Sequence, residues 1–231
     1  MEAFEQLIEQ IAPNLYAYRD RFFTSFAATF EMFAKAGIIA FVVGLFFGVL
    51  LVITRKGGVR QNLVVYQIVN IVINVFRSIP FIILLVAIIP FTRLVVGTSL
   101  GVPGAVVPLV VAAAPFVGRM VEQSLAEVDA GLVEAAQSFG ASTWQIVTKV
   151  FLWESLPSLI RGFSIVLITL LGYSAMAGTV GAGGLGDIAI RYGYQRYMVD
   201  VMIATIVILI VLVQIVQSGC DLAARKIDRK K

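Results

Sequence analysis

An all-α, polytopic membrane protein with five transmembrane helices is the fold class this sequence predicts, and three observations point to it. Of 231 residues, 59% are hydrophobic and 14% charged, whereas an ordinary soluble domain carries roughly 45–50% apolar and about 25% charged residues. The mean hydropathy is +0.94. The apolar residues are gathered in tracts with room for about 20 residues each, the length that crosses a hydrocarbon core as a helix. Those tracts lack the alternation of a barrel strand, so their backbone polar groups must be satisfied inside helices.

The same composition removes several function classes. Histidine is absent and Cys220 is the sole cysteine, which excludes disulfide frameworks, Cys/His metal sites and His-based acid–base chemistry within this chain. The segment 1–23 is expected to be an amphipathic N-terminal element. Glu2, Glu5 and Glu9 give it no basic leader region, so it does not resemble a cleaved signal peptide. Phe4, Leu7, Ile8 and Ile11 follow helical spacing, which suits a short helix lying on the membrane face.

A single transmembrane domain is expected over 24–220. The first span runs from about Thr24 to Thr54, with Glu31 and Lys35 at i, i+4 spacing to form an ion pair. Arg55-Lys56-Gly57-Gly58-Val59-Arg60 stops it. The stretch from Asn62 to Val96 exceeds one straight span and is interrupted at Pro80, so it is expected to be one long helix kinked there. Two separate spans are the alternative. Turn residues from Gly97 to Gly104 end that unit, and a third helix follows from about Ala105 to Leu125. A fourth begins near Pro157, a residue tolerated in a first turn, and reaches Ala177; a fifth covers Val199 to Ser218.

Basic residues in short loops set the orientation. Arg55, Lys56 and Arg60 follow the first span, and the 221–231 tail carries Arg225, Lys226, Arg229, Lys230 and Lys231. Both clusters belong in the cytoplasm, which leaves the N-terminus outside. The net charge of +4 is thereby explained by topology. No basic patch interleaved with aromatics points to nucleic acid.

Between the third and fourth spans lies a polar island, 129–154. Leu132, Ala136, Phe139, Ile146 and Val150 fall on one helical stripe with Thr143 between them, while Glu134, Gln137, Gln145 and Lys149 lie elsewhere. Gly140 divides the stripe into two short helices. Asp129 is placed to cap the first, and Ser142 with Gln145 has capping-box spacing for the second. Glu134 is expected near a first turn, favourable for the helix dipole and for a partner's Arg or Lys. A plain surface hairpin would share these features.

The fuller spacing is more specific: Glu134-Ala135-Ala136, three residues, Gly140, nine residues, then Val150-Phe151-Leu152. It resembles the coupling loop of permease subunits of binding-protein-dependent ABC importers. That family's pattern continues with Pro, where this chain has Trp153, with Pro157 four residues on. The resemblance runs from about Thr24 to the fifth span and is nearest to the methionine importer permeases. It is carried by Phe76-Arg77-Ser78-Ile79-Pro80-Phe81-Ile82-Ile83-Leu84-Leu85, by Ile89-Pro90-Phe91-Thr92-Arg93, and by Gly172-Tyr173-Ser174-Ala175-Met176-Ala177-Gly178 with Gly181-Ala182-Gly183-Gly184-Leu185-Gly186.

The resemblance implies a type I ABC importer permease fold in a bacterial inner membrane. It also implies a homodimer, with two ATP-binding subunits and an external substrate-binding protein, often a lipoprotein. ATP and Mg would be bound by the partner ATPase, with no cofactor in this chain, and Glu134, Ala135, Ala136 and Gly140 would receive the ATPase. Methionine is inherited from the resemblance; another amino acid or small solute is the alternative. The resemblance also places Met176 at a dimer axis as a translocation gate, with Tyr173 and Ser174 nearby. Read from the residues alone, a single Met is ordinary core filler.

Two further motifs have double readings. The run from Gly181 to Gly186 satisfies G-x-G-x-x-G formally, but a hydrophobic helix precedes it where a dinucleotide site needs a strand. It is either a tight turn with close helix approach or flexible backbone near the external mouth. Arg77, the most deeply placed charge, either pairs with a carbonyl freed at Pro80 or faces an aqueous path. No Walker A sequence occurs, so the chain is not expected to hydrolyse ATP. An ion-coupled secondary transporter would need an acid within a span, yet none occurs between Lys35 and Arg119 or between Arg161 and Leu185.

Overall fold

A computed structural model of the chain describes residues 12–228. Phe4, Leu7, Ile8 and Ile11, which carry the expected amphipathic helix, lie outside these residues, as do Arg229, Lys230 and Lys231. Among the described residues there is no strand. A short helix α1 (Pro13–Ala17) is followed by α2 (Arg19–Thr54), α3 (Leu63–Ser78), α4 (Phe81–Ala87), α5 (Ile89–Val96) and α6 (Gly101–Ala126). The polar island forms α7 (Ala130–Ser138) and α8 (Thr143–Ile146). Then come α9 (Leu156–Ala177), α10 (Gly184–Ile188) and α11 (Val199–Ile227).

Four stretches are long and apolar enough to cross a membrane: α2, α6, α9 extended to Ala182, and α11. The bent pair α3–α4 supplies the fifth candidate. Helix α2 stops at Thr54, immediately before the basic cluster, and Lys35 Nζ meets Glu31 Oε1 at 2.5 Å as its spacing foretold. Helix α11 continues to Ile227, beyond the Ser218 expected from hydropathy, which puts Arg225 and Lys226 in its last turn, where the helix dipole favours cations.

The single kinked helix expected from Asn62 to Val96 is corrected by the structure. Helices α3 and α4 are bent by 102°, a break and not a kink. The cause is the residue before the proline: Ile79 is extended, at φ −85° and ψ 122°, because the Pro80 ring disfavours helical geometry at the preceding position. Proline inside a continuing helix bends it, but a pre-proline residue in the extended region ends it. The two-span alternative fails as well, since α4 and α5, at 7 and 8 residues, are each too short to cross.

The chain divides into two compact units. One draws on the chain up to Gly37, on Phe81–Val110 and on Ile168–Ile215. Its apolar cluster joins Phe22, Leu185, Ile188, Tyr192 and Val201. The glycine run belongs here and is packed: Gly184, Leu185 and Gly186 are buried, and the Leu185 N–H donates to Thr29 Oγ1 at 2.8 Å. A Cβ on Gly186 would lie 2.1 Å from the Ala175 carbonyl oxygen, so this motif is a close helix approach.

The other unit draws on Ile38–Pro80, Val111–Leu167 and the chain from Val216 on. Its core rests on a close crossing of α2 and α6. Cβ atoms built on Gly44 and Gly48 would each sit 2.4 Å from a valine Cβ, Val117 and Val121 respectively. Two small residues four apart let the backbones approach closely, as in other membrane helix pairs, where packing supplies much of the attraction.

Candidate functional site

The island between α6 and α9 forms two short helices. Asp129 caps α7 by accepting from the Gly131 N–H at 2.7 Å. At the other end the Ala141 N–H donates to the Ala136 carbonyl at 3.0 Å and the Gly140 N–H to the Gln137 carbonyl at 2.9 Å, with Gly140 at φ +76°. These paired bonds make a Schellman closure, whose left-handed position favours glycine. They also explain a fixed spacing between Ala136 and Gly140. Helix α8 then opens on a complete capping box: Ser142 Oγ accepts from the Gln145 N–H, and Gln145 Oε1 accepts from the Ser142 N–H.

The single apolar stripe expected across both helices is corrected. Phe139 is 91% exposed, and Leu132 is exposed with it, whereas Ile146 is buried together with Val147 and Phe151. The reversal at Gly140 turns the second helix so that its apolar side faces the protein. Trp144, which the stripe omitted, is 75% exposed and lies across the turn from Phe139 in sequence. Glu134, Ala135 and Gly140 are exposed and Ala136 is half-buried. Glu134 is the fifth residue of α7, so the expected first-turn dipole benefit does not apply.

The chain stays helical across Trp153, the off-pattern position, and bends just beyond it. Beyond α8 the chain widens into a π-helical turn over Val147–Phe151 and stays helical through Leu152–Glu154. It turns at Ser155, whose hydroxyl donates to the Phe151 carbonyl at 2.6 Å, and Pro157 falls in the first turn of α9. Beside the loop is a cleft of about 910 Å³, lined among others by Glu127, Asp129, Trp153, Arg161 and Lys226. Arg161 pairs with Asp228 at 2.8 Å in its wall.

The three residues expected at a gate are separated by the turn of α9. Met176 is 48% exposed. Tyr173, one turn earlier, stacks on Phe81 at a centroid distance of 4.4 Å and an interplanar angle of 5°. Ser174 is buried, and its hydroxyl donates to the Leu171 carbonyl at 2.8 Å. Tyr173 and Met176 thus share a helix face, and Ser174 points elsewhere.

Arg77 is exposed, and its guanidinium lies 5.8 Å from the centre of the Phe116 ring, a cation–π contact. The deeper charge is Arg119. It pairs with Glu122 and also donates to Asn70 and, at 3.0 Å, to Asn74, while Tyr66 Oη lies 3.3 Å from the Glu122 carboxylate. The side chains of Arg119 and Glu122 are 18% and 12% exposed. Sequence reasoning used Arg119 to bound an acid-free stretch and overlooked Glu122. The available signal was two helical spacings, Asn70–Asn74 at i, i+4 and Arg119–Glu122 at i, i+3.

Residues 40–229 match the family described as the binding-protein-dependent transport system inner membrane component. A probable D-methionine transport system permease protein, MetI, of Vibrio cholerae is 50% identical over 211 residues, 91% of this chain and 94% of that protein. The D-methionine transport system permease protein MetI of Escherichia coli K12 is 54% identical over 150 residues, 65% of this chain and 69% of that protein. Among solved structures, a chain of the MetNI methionine ABC transporter in an inward-facing conformation superposes with a TM-score of 0.90 at 48% identity, covering 92% of this chain and 99% of that one. An amino acid ABC transporter crystallised with histidines shares the fold at a TM-score of 0.76 and 18% identity. With the family matched across most of its length, the chain is a multi-pass membrane protein belonging to the inner membrane components of binding-protein-dependent transport systems.

Proposed function

We propose that this chain is the permease subunit of an ATP-driven amino-acid importer whose substrate is methionine. It works as a homodimer with two ATP-binding subunits and an external substrate-binding protein. What carries the proposal is the capped, two-helix loop around Gly140, which presents Phe139 and Trp144 to solvent on a rigid turn. Two large exposed aromatics flanking a closed turn suit a partner's apolar cleft. ATP and Mg would be held by that partner, and Glu134, Ala135, Ala136 and Gly140 would receive its movement. The choice of methionine rests on the relatives' names.

Arg55, Lys56, Arg60, Arg225 and Lys226 favour a cytoplasmic side for the loop and the C-terminus, with the N-terminus outside. The test is co-purification of the permease with a soluble ATP-binding subunit, followed by radiolabelled uptake of a panel of amino acids into proteoliposomes. ATP-dependent uptake with methionine preferred is the expected result. Uptake driven by an ion gradient without ATP would replace this function with secondary transport.

The exposed Met176, next to the stacked Tyr173, is proposed to meet its counterpart in the second subunit and close the path. Thioether side chains pack adaptably, which suits a plug that must open and reseal. Met176→Ala is expected to raise basal ATPase activity or lower uptake in the reconstituted complex. Wild-type values for both would remove the gate from this position.

A further inference from the structure

A second cavity, of about 250 Å³, is unconnected with the coupling loop. Its polar lining is Thr92, Arg93 and Ser99, near the N-terminal end of α6 at Gly104 and Ala105. Arg93 Nε donates to Ser99 Oγ at 3.3 Å. Leu85, Ile89, Leu100, Ala177, Val180 and Ala182 form the apolar part. Ala177 and Val180 follow Met176 closely on the chain, so the cavity adjoins the proposed gate.

Thr92 is the informative residue. Thr24, Thr54 and Thr205 each donate their hydroxyl to the carbonyl four residues back, which is how a membrane helix hides such a group. Thr92 is 2% exposed, and its hydroxyl has no partner among the described residues. Ser164 is the other such hydroxyl there, but it lines neither cavity. A buried hydroxyl left unpaired costs about 1–3 kcal/mol, which a ligand able to bond with it would recover.

The remaining groups define that ligand's chemistry. Arg93 and the N-terminal end of a 26-residue helix both favour a carboxylate. Pro108 has no N–H to offer the Gly104 carbonyl four residues back, and both residues line the cavity, so an acceptor for an ammonium group is present. The apolar walls accommodate an unbranched or branched aliphatic side chain. The volume is below the roughly 300 Å³ at which drug-sized pockets begin, which restricts the occupant to a small molecule.

Resting on the transport function proposed above, we propose that this cavity is a transient site for the zwitterion of the transported amino acid. The carboxylate would face Arg93 and the α6 N-terminus, and the side chain the walls formed by Leu100, Ala177 and Val180. The site lies on the permease itself, so it would act after release from the external binding protein.

The test uses the complete reconstituted complex with its ATPase and binding protein. Arg93→Gln is expected to lower the initial rate of methionine uptake by about ten-fold, the loss of one charge-assisted hydrogen bond, with Arg93→Lys retaining most of the rate. Thr92→Val removes a hydroxyl the fold does not use, so it should lower uptake while thermal stability stays at the wild-type value or rises. Independently, photo-methionine should label peptides containing Leu100 or Val180, with protection by methionine but not by methioninol, which lacks the carboxylate. Wild-type uptake in both Arg93→Gln and Thr92→Val, or labelling absent or equally blocked by methioninol, would overturn the site. A wild-type complex without amino-acid uptake overturns the proposed function instead, and the site then stands or falls on the labelling.

Discussion

Gly140→Val is expected to lower uptake by about ten-fold or more while the permease still inserts and remains folded. The backbone at Gly140 is left-handed, at φ +76°, and a Cβ there would meet nothing within 4 Å, so the obstacle is conformational and not steric crowding. An L-residue in that region costs about 1–2 kcal/mol, and a β-branched one is a genuine outlier. The Schellman closure offers an escape, because the substituted backbone can reach an ordinary geometry by giving up the bond from Ala141 to Ala136. That would redirect Phe139 and misplace the surface proposed to receive the ATPase.

Gly140 and Phe139 are exposed and Ala141 is half-buried, so stability should change little. Gly140→Asn supplies the control, since asparagine tolerates left-handed backbone and should keep most of the activity. The measurement is uptake and phosphate release in the same proteoliposomes. Normal uptake per ATP in Gly140→Val would mean that the closed turn is not the route by which force enters.

What could be read from the sequence was what depends on near neighbours. Asp129, Gly140, and the Ser142–Gln145 box each act within a few residues, and all four positions do locally what their spacing required. The C-terminal end of α2 and both ends of α9 were legible for the same reason, whereas α2 begins at Arg19, five residues before the expected Thr24. At Pro80 two local rules compete: proline within a helix kinks it, while the residue before proline leaves the helix. Ile79 obeys the second, and hydropathy alone could not choose.

Other features depend on distant partners. Ile146 and Phe139 have equal claim to an apolar stripe until the turn at Gly140 sends them to opposite environments. Ser174 is polar and two residues from Met176, but helix rotation and the Leu171 carbonyl take it out of the proposed path. The cavity around Thr92 is assembled from α4, α5, the start of α6 and the end of α9, so no single window contains its chemistry.

The Arg119 cluster leads to the largest stability effect. Its charges are mostly buried, and the acceptors that satisfy the guanidinium come from both α3 and α6. Arg119→Leu would strip Glu122 of its countercharge and leave only the Tyr66 hydroxyl, at 3.3 Å. Breaking a buried pair from one side typically costs about 3–5 kcal/mol, because the remaining charge is uncompensated. The expected outcome is poor yield and a markedly lower midpoint in detergent thermal unfolding.

Arg119→Leu combined with Glu122→Leu should recover much of that loss, since an apolar pair removes both desolvation penalties, although Asn74 Oδ1 loses its Arg119 donor and Asn70 Oδ1 keeps only the Asn74 amide, at 3.3 Å. If the single variant were as stable as wild type, the cluster would be solvated in the assembled protein and its apparent burial would not govern folding. If the double variant folds but moves substrate poorly, the cluster instead fixes how α3 follows α6, whose C-terminal end leads directly into the loop at Asp129. Uptake measured beside stability in both variants distinguishes a polar staple that only holds helices together from one that also transmits their motion.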